Sequence, residues 1–167
     1  RFFSQLPRSE REKISRLPWV VFSGGLSSIY ATFVLGAVST LFYDAMGLSK
    51  SHIGLLNSLI FLPGPLAIII APLAAKWGFK RTFMVFYGCR KILIAFIAGS
   101  PWILERYGLT GVAIYTTSLM SLYGILRVIA ETAVYPWQHE YVPPRVRGKF
   151  TAITNMVSTL VGIGAVY

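Results

Sequence analysis

Two adjacent cations, Arg90 and Lys91, stand in the run YGCRKILIAF, residues 87–96, which is otherwise apolar enough for the interior of a lipid bilayer. A charged side chain at the bilayer centre costs about 2.5–3.5 kcal/mol, so such residues mark a function or find a partner. Neighbouring positions on a helix point about 100° apart. We expect Arg90 to face inward, because a guanidinium binds oxyanions through a fixed fork of donors. Three uses of Arg90 stay open: an anionic substrate, an acidic partner in the rest of the protein, or a lipid headgroup.

A second charged group lies further along the chain, where Arg127 and Glu131 are four residues apart. On a helix this spacing places both on one face, so they can pair. Thr117, Ser121 and Gly124 continue the same stripe at helical spacing. A stripe of small and polar residues in a membrane helix is commonly a packing seam, and lining a cavity is the alternative. Because a charge pair ends the stripe, we favour the cavity and name Arg127, Glu131, Thr117 and Ser121 as candidate substrate or coupling residues.

Other polar positions in the apolar runs carry weaker signals. Asn57 is a candidate donor into a cavity, although a single amide can instead bridge two helices. A stripe of small residues in the first apolar run favours close helix packing over a substrate site: Gly25, Ser28, Thr32, Gly36 and Ser39.

The sequence contains no pattern typical of an enzyme. Cys89 is the only cysteine, and the two histidines, His52 and His139, fall on opposite sides of the predicted membrane. The serines of GGLSS, 24–28, have no histidine partner within the apolar runs. We therefore predict no catalytic residue, no cofactor and no metal site.

Composition places these residues in a membrane protein. The chain has 167 residues, of which 54% are hydrophobic and only 13% are charged, whereas a soluble domain carries about 25% charged residues. A net charge of +10 would suggest nucleic acid in a soluble protein. Here the cations fall mostly between apolar runs, so we predict a lipid bilayer and no nucleic acid as the partner.

Five apolar runs approach or exceed the roughly 20 residues needed to cross a bilayer. We therefore predict an all-α membrane protein, a bundle of five transmembrane helices at about 18–43, 53–75, 82–104, 109–135 and 150–167. Residues 1–17 are basic and amphipathic and are typical of an interfacial segment. The chain starts on Arg1 and stops within the last apolar run, so we expect it to be a fragment of a longer protein.

The cations outside the runs predict an orientation. Eleven of them precede the first span or lie in the second-to-third and fourth-to-fifth loops, and two, Lys50 and Arg106, lie on the other side. Since cytoplasmic loops are enriched in Lys and Arg, the N-terminus should be cytoplasmic in a multi-pass protein of the plasma or inner membrane. The second span should bend, because Pro63, Pro65 and Pro72 each remove a backbone donor.

The loop APLAAKWGFKR, 71–81, carries Gly78, which suits the positive φ of a short reversal, among the cations Lys76, Lys80 and Arg81. The segment RVIAETAVYPWQHEYVPPRVRGKF, 127–150, combines Arg127 with an acid, prolines and the pair Arg147-Gly148, and LSKSHIGLLNSL, 48–59, precedes both. With these three motifs in order, the chain resembles the major facilitator superfamily of membrane transporters. The resemblance runs from span one to most of span five.

The resemblance implies most of the N-terminal six-helix half of a secondary active transporter. Such a protein moves a small solute by alternating access, coupled to an ion or a proton, and an anion is one candidate solute. Arg127 and Glu131 would be the coupling residues, and Arg90 would contact the substrate. Six residues of the two cytoplasmic loops would form the gating loops: Lys76, Gly78, Lys80, Arg81, Arg147 and Gly148. The C-terminal half, which lies outside this sequence, would complete the cavity.

The chain also departs from the family pattern. Ala75 stands where the gating-loop aspartate is usual, Ala71 replaces a glycine, and Glu131 replaces the glycine four residues after Arg127. The missing aspartate leaves an alternative open: a non-transporting scaffold or assembly subunit that keeps the fold and docks to other membrane subunits.

Overall fold

A computed structural model of the chain describes residues 8–164. Helices form 91% of the structure and no strand occurs in this part of the chain, which confirms the all-α prediction. The helices are α1 (Arg8–Leu35), α2 (Ala37–Ala45), α3 (Lys50–Leu59), α4 (Ala67–Trp77), α5 (Phe79–Ile97), α6 (Ser100–Tyr141) and α7 (Arg147–Gly164), with single 3₁₀ turns at Gly64–Leu66 and Pro144–Val146.

Three helical segments are long and apolar enough to cross a membrane: Glu12–Ala45, Lys50–Trp77 and Ser100–Tyr141. They correspond to the first, second and fourth predicted spans. The third and fifth predicted spans are also helical, as α5 and α7, but do not belong to this set. In α5 the reason is charge, since its 19 residues include Lys80, Arg81, Arg90 and Lys91.

The chain divides into two compact units, and the first combines Arg1–Ala37 with Gln138–Tyr167. In this unit α1 packs against α7 through small residues. A Cβ at Gly25 would lie 3.4 Å from Val157, and one at Gly162 would lie 3.2 Å from the Ser28 hydroxyl. The Ser28 Oγ donates a hydrogen bond of 2.7 Å to the carbonyl of Ser158. These contacts confirm the packing interpretation of the small-residue stripe at Gly25 and Ser28.

The beginning of α1 also belongs to the first unit. Leu17, Val142 and Phe150 form a small buried cluster there, and Lys13 Nζ donates to the carbonyl of Glu140 at 3.1 Å. The predicted boundary between residues 17 and 18 coincides with no interruption, because Pro18 lies inside α1. Residues 1–7 of the predicted interfacial segment lie outside the described part of the chain.

The second unit is Val38–Trp137, and its proline-rich segment is interrupted where the sequence predicted a bend. Helix α3 ends at Leu59, a turn follows, and the 3₁₀ turn at Gly64–Leu66 leads into α4. Pro63 and Pro65 cannot donate backbone hydrogen bonds, so the helical ladder stops there. Pro72 is accommodated within α4.

Two glycines with positive φ shape the remainder of this unit. Gly78, with φ of 90°, separates α4 from α5 as the sequence predicts, and its carbonyl accepts a 3.1 Å hydrogen bond from Thr82 Oγ1. The next boundary differs from the prediction, because α5 ends at Ile97 instead of 104 and α6 begins at Ser100. Ser100 is followed by Pro101, and proline is favoured in the first turn of a helix. Gly108, with φ of 66° and ψ of −169°, then interrupts the regular geometry of α6 near the predicted start of the fourth span.

Candidate functional site

Three charged side chains lie close together: Arg90 from α5, and Arg127 and Glu131 from α6. We call these three residues the two-arginine site. Arg127 Nε donates to Glu131 Oε1 at 2.6 Å, so the predicted pair is present. Arg90 Nη1 lies 3.7 Å from the same oxygen. The sequence offers Arg90 no acid on its own helix, and the structure supplies one from α6.

Helix geometry explains how the site forms. Arg127 and Glu131 are one turn apart on α6, so their side chains share a face without any tertiary contact. Arg90 lies eight residues after Thr82 and Arg127 lies eight residues before Tyr135. The two arginines were therefore expected at similar depths, and their approach to one carboxylate oxygen places them at the same level.

The three charged side chains differ in exposure. The side chain of Arg90 is 10% exposed and that of Arg127 is 17% exposed, whereas Glu131 is 46% exposed. Both arginine side chains are thus less exposed than the carboxylate, and Arg90 is buried. A partly buried pair is screened less by water than a surface pair and retains more of its attraction.

Aromatic rings enclose the two guanidiniums. Arg90 Cζ lies 4.5 Å from the ring centroid of Tyr87 and 5.6 Å from that of Tyr123. Arg127 Cζ lies 4.4 Å from the ring centroid of Phe61. Cation–π contacts of this kind contribute about 0.5–2 kcal/mol. They offset part of the cost of placing the cations in an apolar setting.

Sequence reasoning missed these three aromatic residues. Tyr87 could have been found, since it precedes Arg90 by three positions on one helix. Tyr123 precedes Arg127 by four, but its ring contacts Arg90 on another helix. Phe61 lies in the turn after α3, and no spacing in the sequence connects it to Arg127.

The structure also separates the two adjacent cations of α5. Arg90 is buried, as expected for the inward residue, and its Nε atom is buried without a hydrogen-bond partner. Lys91 is half-buried, with Nζ 5.0 Å from the Tyr87 ring centroid. Arg90 thus keeps one donor, its Nε–H, unpaired beside the carboxylate that it shares with Arg127.

The other candidates on α6 are not part of this site. Thr117 Oγ1 donates to the carbonyl of Ala113 at 2.7 Å and lies 3.2 Å from His52 Nε2. Ser121 and Asn57 are half-buried. Within residues 8–164, Asn57, Thr117 and Ser121 form no hydrogen bond with the two-arginine site.

Of the two interpretations of the polar stripe on α6, packing applies at Gly124. It is buried, and a Cβ there would contact the carbonyl oxygen of Leu59 and lie 3.2 Å from Pro63. The stripe therefore combines a packing contact at Gly124 with charged groups at Arg127 and Glu131.

The predicted gating loop of the second unit is a basic turn. Lys76, Lys80 and Arg81 are exposed around Gly78, and Ala75 is exposed where a carboxylate was expected from the family pattern. The turn therefore presents three cations that are free to meet anionic headgroups or another protein segment.

The second predicted gating segment, with Arg147 and Gly148, belongs to the first unit. Arg147 Nη2 donates to the carbonyls of His139 at 3.3 Å and Val142 at 3.4 Å. These carbonyls lie at the end of α6, where helices leave acceptors unpaired. Arg147 thus caps α6, and Gly148 is exposed with open space around it.

Among residues 12–34 and 36–164, no cluster of three or more His, Cys, Asp or Glu side chains that could hold a metal occurs. No protein-family profile, curated protein or solved structure matches the chain. The function must therefore be inferred from the residues themselves.

Proposed function

We propose that this chain is most of the N-terminal half of a secondary active transporter of the major facilitator type. It would be a multi-pass protein of the plasma or inner membrane, with its N-terminus in the cytoplasm, and would move a small solute by alternating access. The observation that carries the proposal is the two-arginine site: buried, paired charges on helices whose outer surfaces are apolar.

The apolar surfaces support a membrane environment. Phe22, Leu62 and Ile68 are 60%, 70% and 81% exposed, each within a segment long enough to span a bilayer. A soluble monomer rarely exposes large contiguous apolar patches. In the proposed five-helix arrangement α5 and α7 also cross the membrane, and the ion pair of Arg90 lowers the cost of its charge there.

The charged site supports transport in preference to a passive anchor. Intramembrane charges that face one another mark substrate or ion pathways. In the proposed mechanism Arg90 contacts an anionic part of the solute, and Arg127 with Glu131 couples its movement to an ion or a proton. The half of the protein that lies outside this sequence supplies the facing wall of the cavity.

The test is a flux assay on the full-length protein in liposomes that contain an interior pH dye, screened with organic anions and neutral solutes. We expect solute-dependent proton movement that is lost in Arg127→Gln and in Glu131→Gln. Arg106→Gln is the matched control, because Arg106 stacks on Trp102 at 5.5 Å, away from the site. A flat response to every solute would refute transport, and normal flux in both site variants would refute the coupling role.

One observation favours a second candidate, a non-transporting scaffold or assembly subunit. The exposed turn at 75–81 has cations and no carboxylate, so it lacks the acid that the family pattern uses in gating. Three unopposed cations suit a permanent acidic partner in a larger membrane complex. Stable co-purification with other subunits, together with no flux, would favour the scaffold over the transporter.

A further inference from the structure

Cations gather at one end of the first unit. The carbonyl of Glu140 accepts a 3.1 Å hydrogen bond from Lys13 Nζ. The buried cluster of Leu17, Val142 and Phe150 packs the start of α1 against the junction of α6 and α7. These contacts bring together positive charges that are distant in the sequence. We call the five cations of this region the basic end: Lys13, Arg16, Arg145, Arg147 and Lys149.

The positive charge of the basic end is largely uncompensated. Among the described side chains of this unit the acids are Glu12 and Glu140, and Glu12 pairs with Arg16. Arg145 and Lys149 are exposed and form no hydrogen bond or ion pair with the described residues. Like charges held together repel one another, so they oppose the packing of α1 on the junction. An anionic partner that covers the basic end would relieve this repulsion.

In a bilayer the basic end would lie at the level of the lipid headgroups. The membrane-length segment begins at Glu12, so Lys13 and Arg16 lie at its end. Trp19 and Phe22 follow on α1, 75% and 60% exposed, and exposed tryptophan is typical of the membrane interface. At about 1.5 Å per residue, Lys13 lies roughly 9 Å along the helix from Trp19. The headgroup layer is about 5–8 Å thick on each side of a bilayer, so Lys13 reaches its outer part when Trp19 lies at its inner edge.

We propose that the basic end binds the headgroups of anionic phospholipids, and that these lipids hold the start of α1 against the junction of α6 and α7. A cluster of cations next to a membrane-spanning helix attracts anionic lipids. An acidic protein would meet the same charges, but it would leave the exposed aromatic pair beside them unexplained. The proposal goes beyond the transport function, because a non-transporting scaffold with the same fold would bind the lipids in the same way.

The test is thermal unfolding of the full-length protein at low salt in two kinds of nanodisc, one of phosphatidylcholine alone and one with added phosphatidylglycerol. We expect phosphatidylglycerol to raise the unfolding midpoint of the wild type by roughly 4 °C or more, the shift that two cation–headgroup contacts would give. An equal midpoint in the two lipids would overturn the proposal.

The decisive variant carries Arg145→Gln and Lys149→Gln together. It should lose at least half of the gain from phosphatidylglycerol. In phosphatidylcholine alone it should unfold at or above the wild-type midpoint, because the substitutions remove repulsion. This difference in direction separates lipid binding from a structural role, since the loss of a structural contact would lower the midpoint in both lipids. A lower midpoint in both lipids, or a gain that persists in full, would overturn the proposal; Arg145→Gln alone serves if the double variant does not fold.

The matched control carries Lys50→Gln and Arg106→Gln, which remove two exposed cations of the second unit. It should keep most of the gain, and an equal loss in the control would show general attraction to the membrane in place of a site. Inorganic phosphate and a poly-glutamate peptide, each added to the wild type in phosphatidylcholine, should not reproduce the gain. A full gain with phosphate would assign the basic end to a free anion, and a full gain with the peptide would assign it to an acidic protein. Either result would overturn a lipid site, and neither depends on whether the protein transports a solute.

Discussion

Adding one methyl group at Gly124 should destabilise the protein, because α6 has no room at that position. A Cβ there would meet the Leu59 carbonyl oxygen in a clash, and would lie 3.2 Å from Pro63 Cγ and 3.4 Å from the Cα of Ile60. Two of these neighbours are backbone atoms, so relief requires a shift of the turn or of α6. Overpacking of this kind costs about 1–3 kcal/mol.

The helical propensity of alanine opposes this cost, since Gly→Ala gains up to about 1 kcal/mol within a helix. Because the clash is with a backbone atom, we take the upper part of the overpacking range, about 2–3 kcal/mol, and expect Gly124→Ala to lose about 1–2 kcal/mol. For a chain of this size that lowers the unfolding midpoint by roughly 2–8 °C. The matched control is Gly88→Ala in α5, where a Cβ would have nothing within 4 Å. There only the propensity gain applies, so the midpoint should stay level or rise.

The measurement is thermal unfolding of the full-length protein in detergent, followed by intrinsic fluorescence at one scan rate for both variants. The opposite sign of the two shifts is the readout, because a general intolerance of α5 and α6 to alanine would lower both. An unchanged midpoint for Gly124→Ala would refute the close approach of α6 to the turn. If Gly88→Ala lowered the unfolding midpoint as much as Gly124→Ala, lack of room for a Cβ at Gly124 would not explain the destabilisation.

Three further results are expected. Gly78→Ala should lower the unfolding midpoint, since a side chain at a φ of 90° costs about 1–3 kcal/mol. Gly148 lies within α7 with open space around it, so Gly148→Ala should not lower the midpoint. Equal shifts of the two midpoints would contradict this reasoning. Ser28→Ala should cost about 1 kcal/mol, because it removes the hydroxyl that donates to the Ser158 carbonyl, and an unchanged midpoint would argue against that bond. Cys89 is exposed on α5, and if α5 faces lipid, a charged maleimide should label it only after SDS denaturation; rapid labelling in proteoliposomes would place it in water.

Much of the local structure could be predicted from sequence because it depends on neighbours along the chain. The positive φ of Gly78 follows from a glycine between two cation-flanked helices. The pairing of Arg127 with Glu131 follows from their spacing on one helix. The break after α3 follows from Pro63 and Pro65, which cannot extend a helical ladder.

The boundary between α5 and α6 was predicted too late in the sequence. Trp102, Ile103 and Leu104 extend the apolar run beyond the short interruption at Gly99, Ser100 and Pro101. Hydropathy averaged over a whole span therefore gave too little weight to these three residues. The end is set by local backbone chemistry: Ser100 Oγ donates to the Ile97 carbonyl at 2.7 Å, and Pro101 suits the first turn of the next helix. Composition locates an apolar segment, whereas capping residues locate its ends.

The acid that Arg90 meets could not be found from spacing, because it lies on another helix. Nothing in the sequence near Arg90 indicates Glu131, and nothing near Arg127 indicates Phe61. Such contacts depend on how far α5, α6 and the turn after α3 approach each other. That distance is set by small residues such as Gly124, whose packing role the sequence suggested without naming its partner.

The close backbone approach at Gly124 and the charged site lie on the same face of α6. Gly124 and Arg127 are three positions apart, and both contact the turn after α3: Gly124 meets its backbone, and Arg127 lies under the ring of Phe61. A movement of this turn relative to α6 would separate the Phe61 ring from Arg127. The guanidinium would then be held by Glu131 and solvent alone. Such movement costs least where the helical hydrogen bonds are already interrupted, as they are at the prolines after α3. If the proposed transporter moves at this turn, the ion pair between Arg127 and Glu131 and the position of the turn are coupled through one side chain, Arg127.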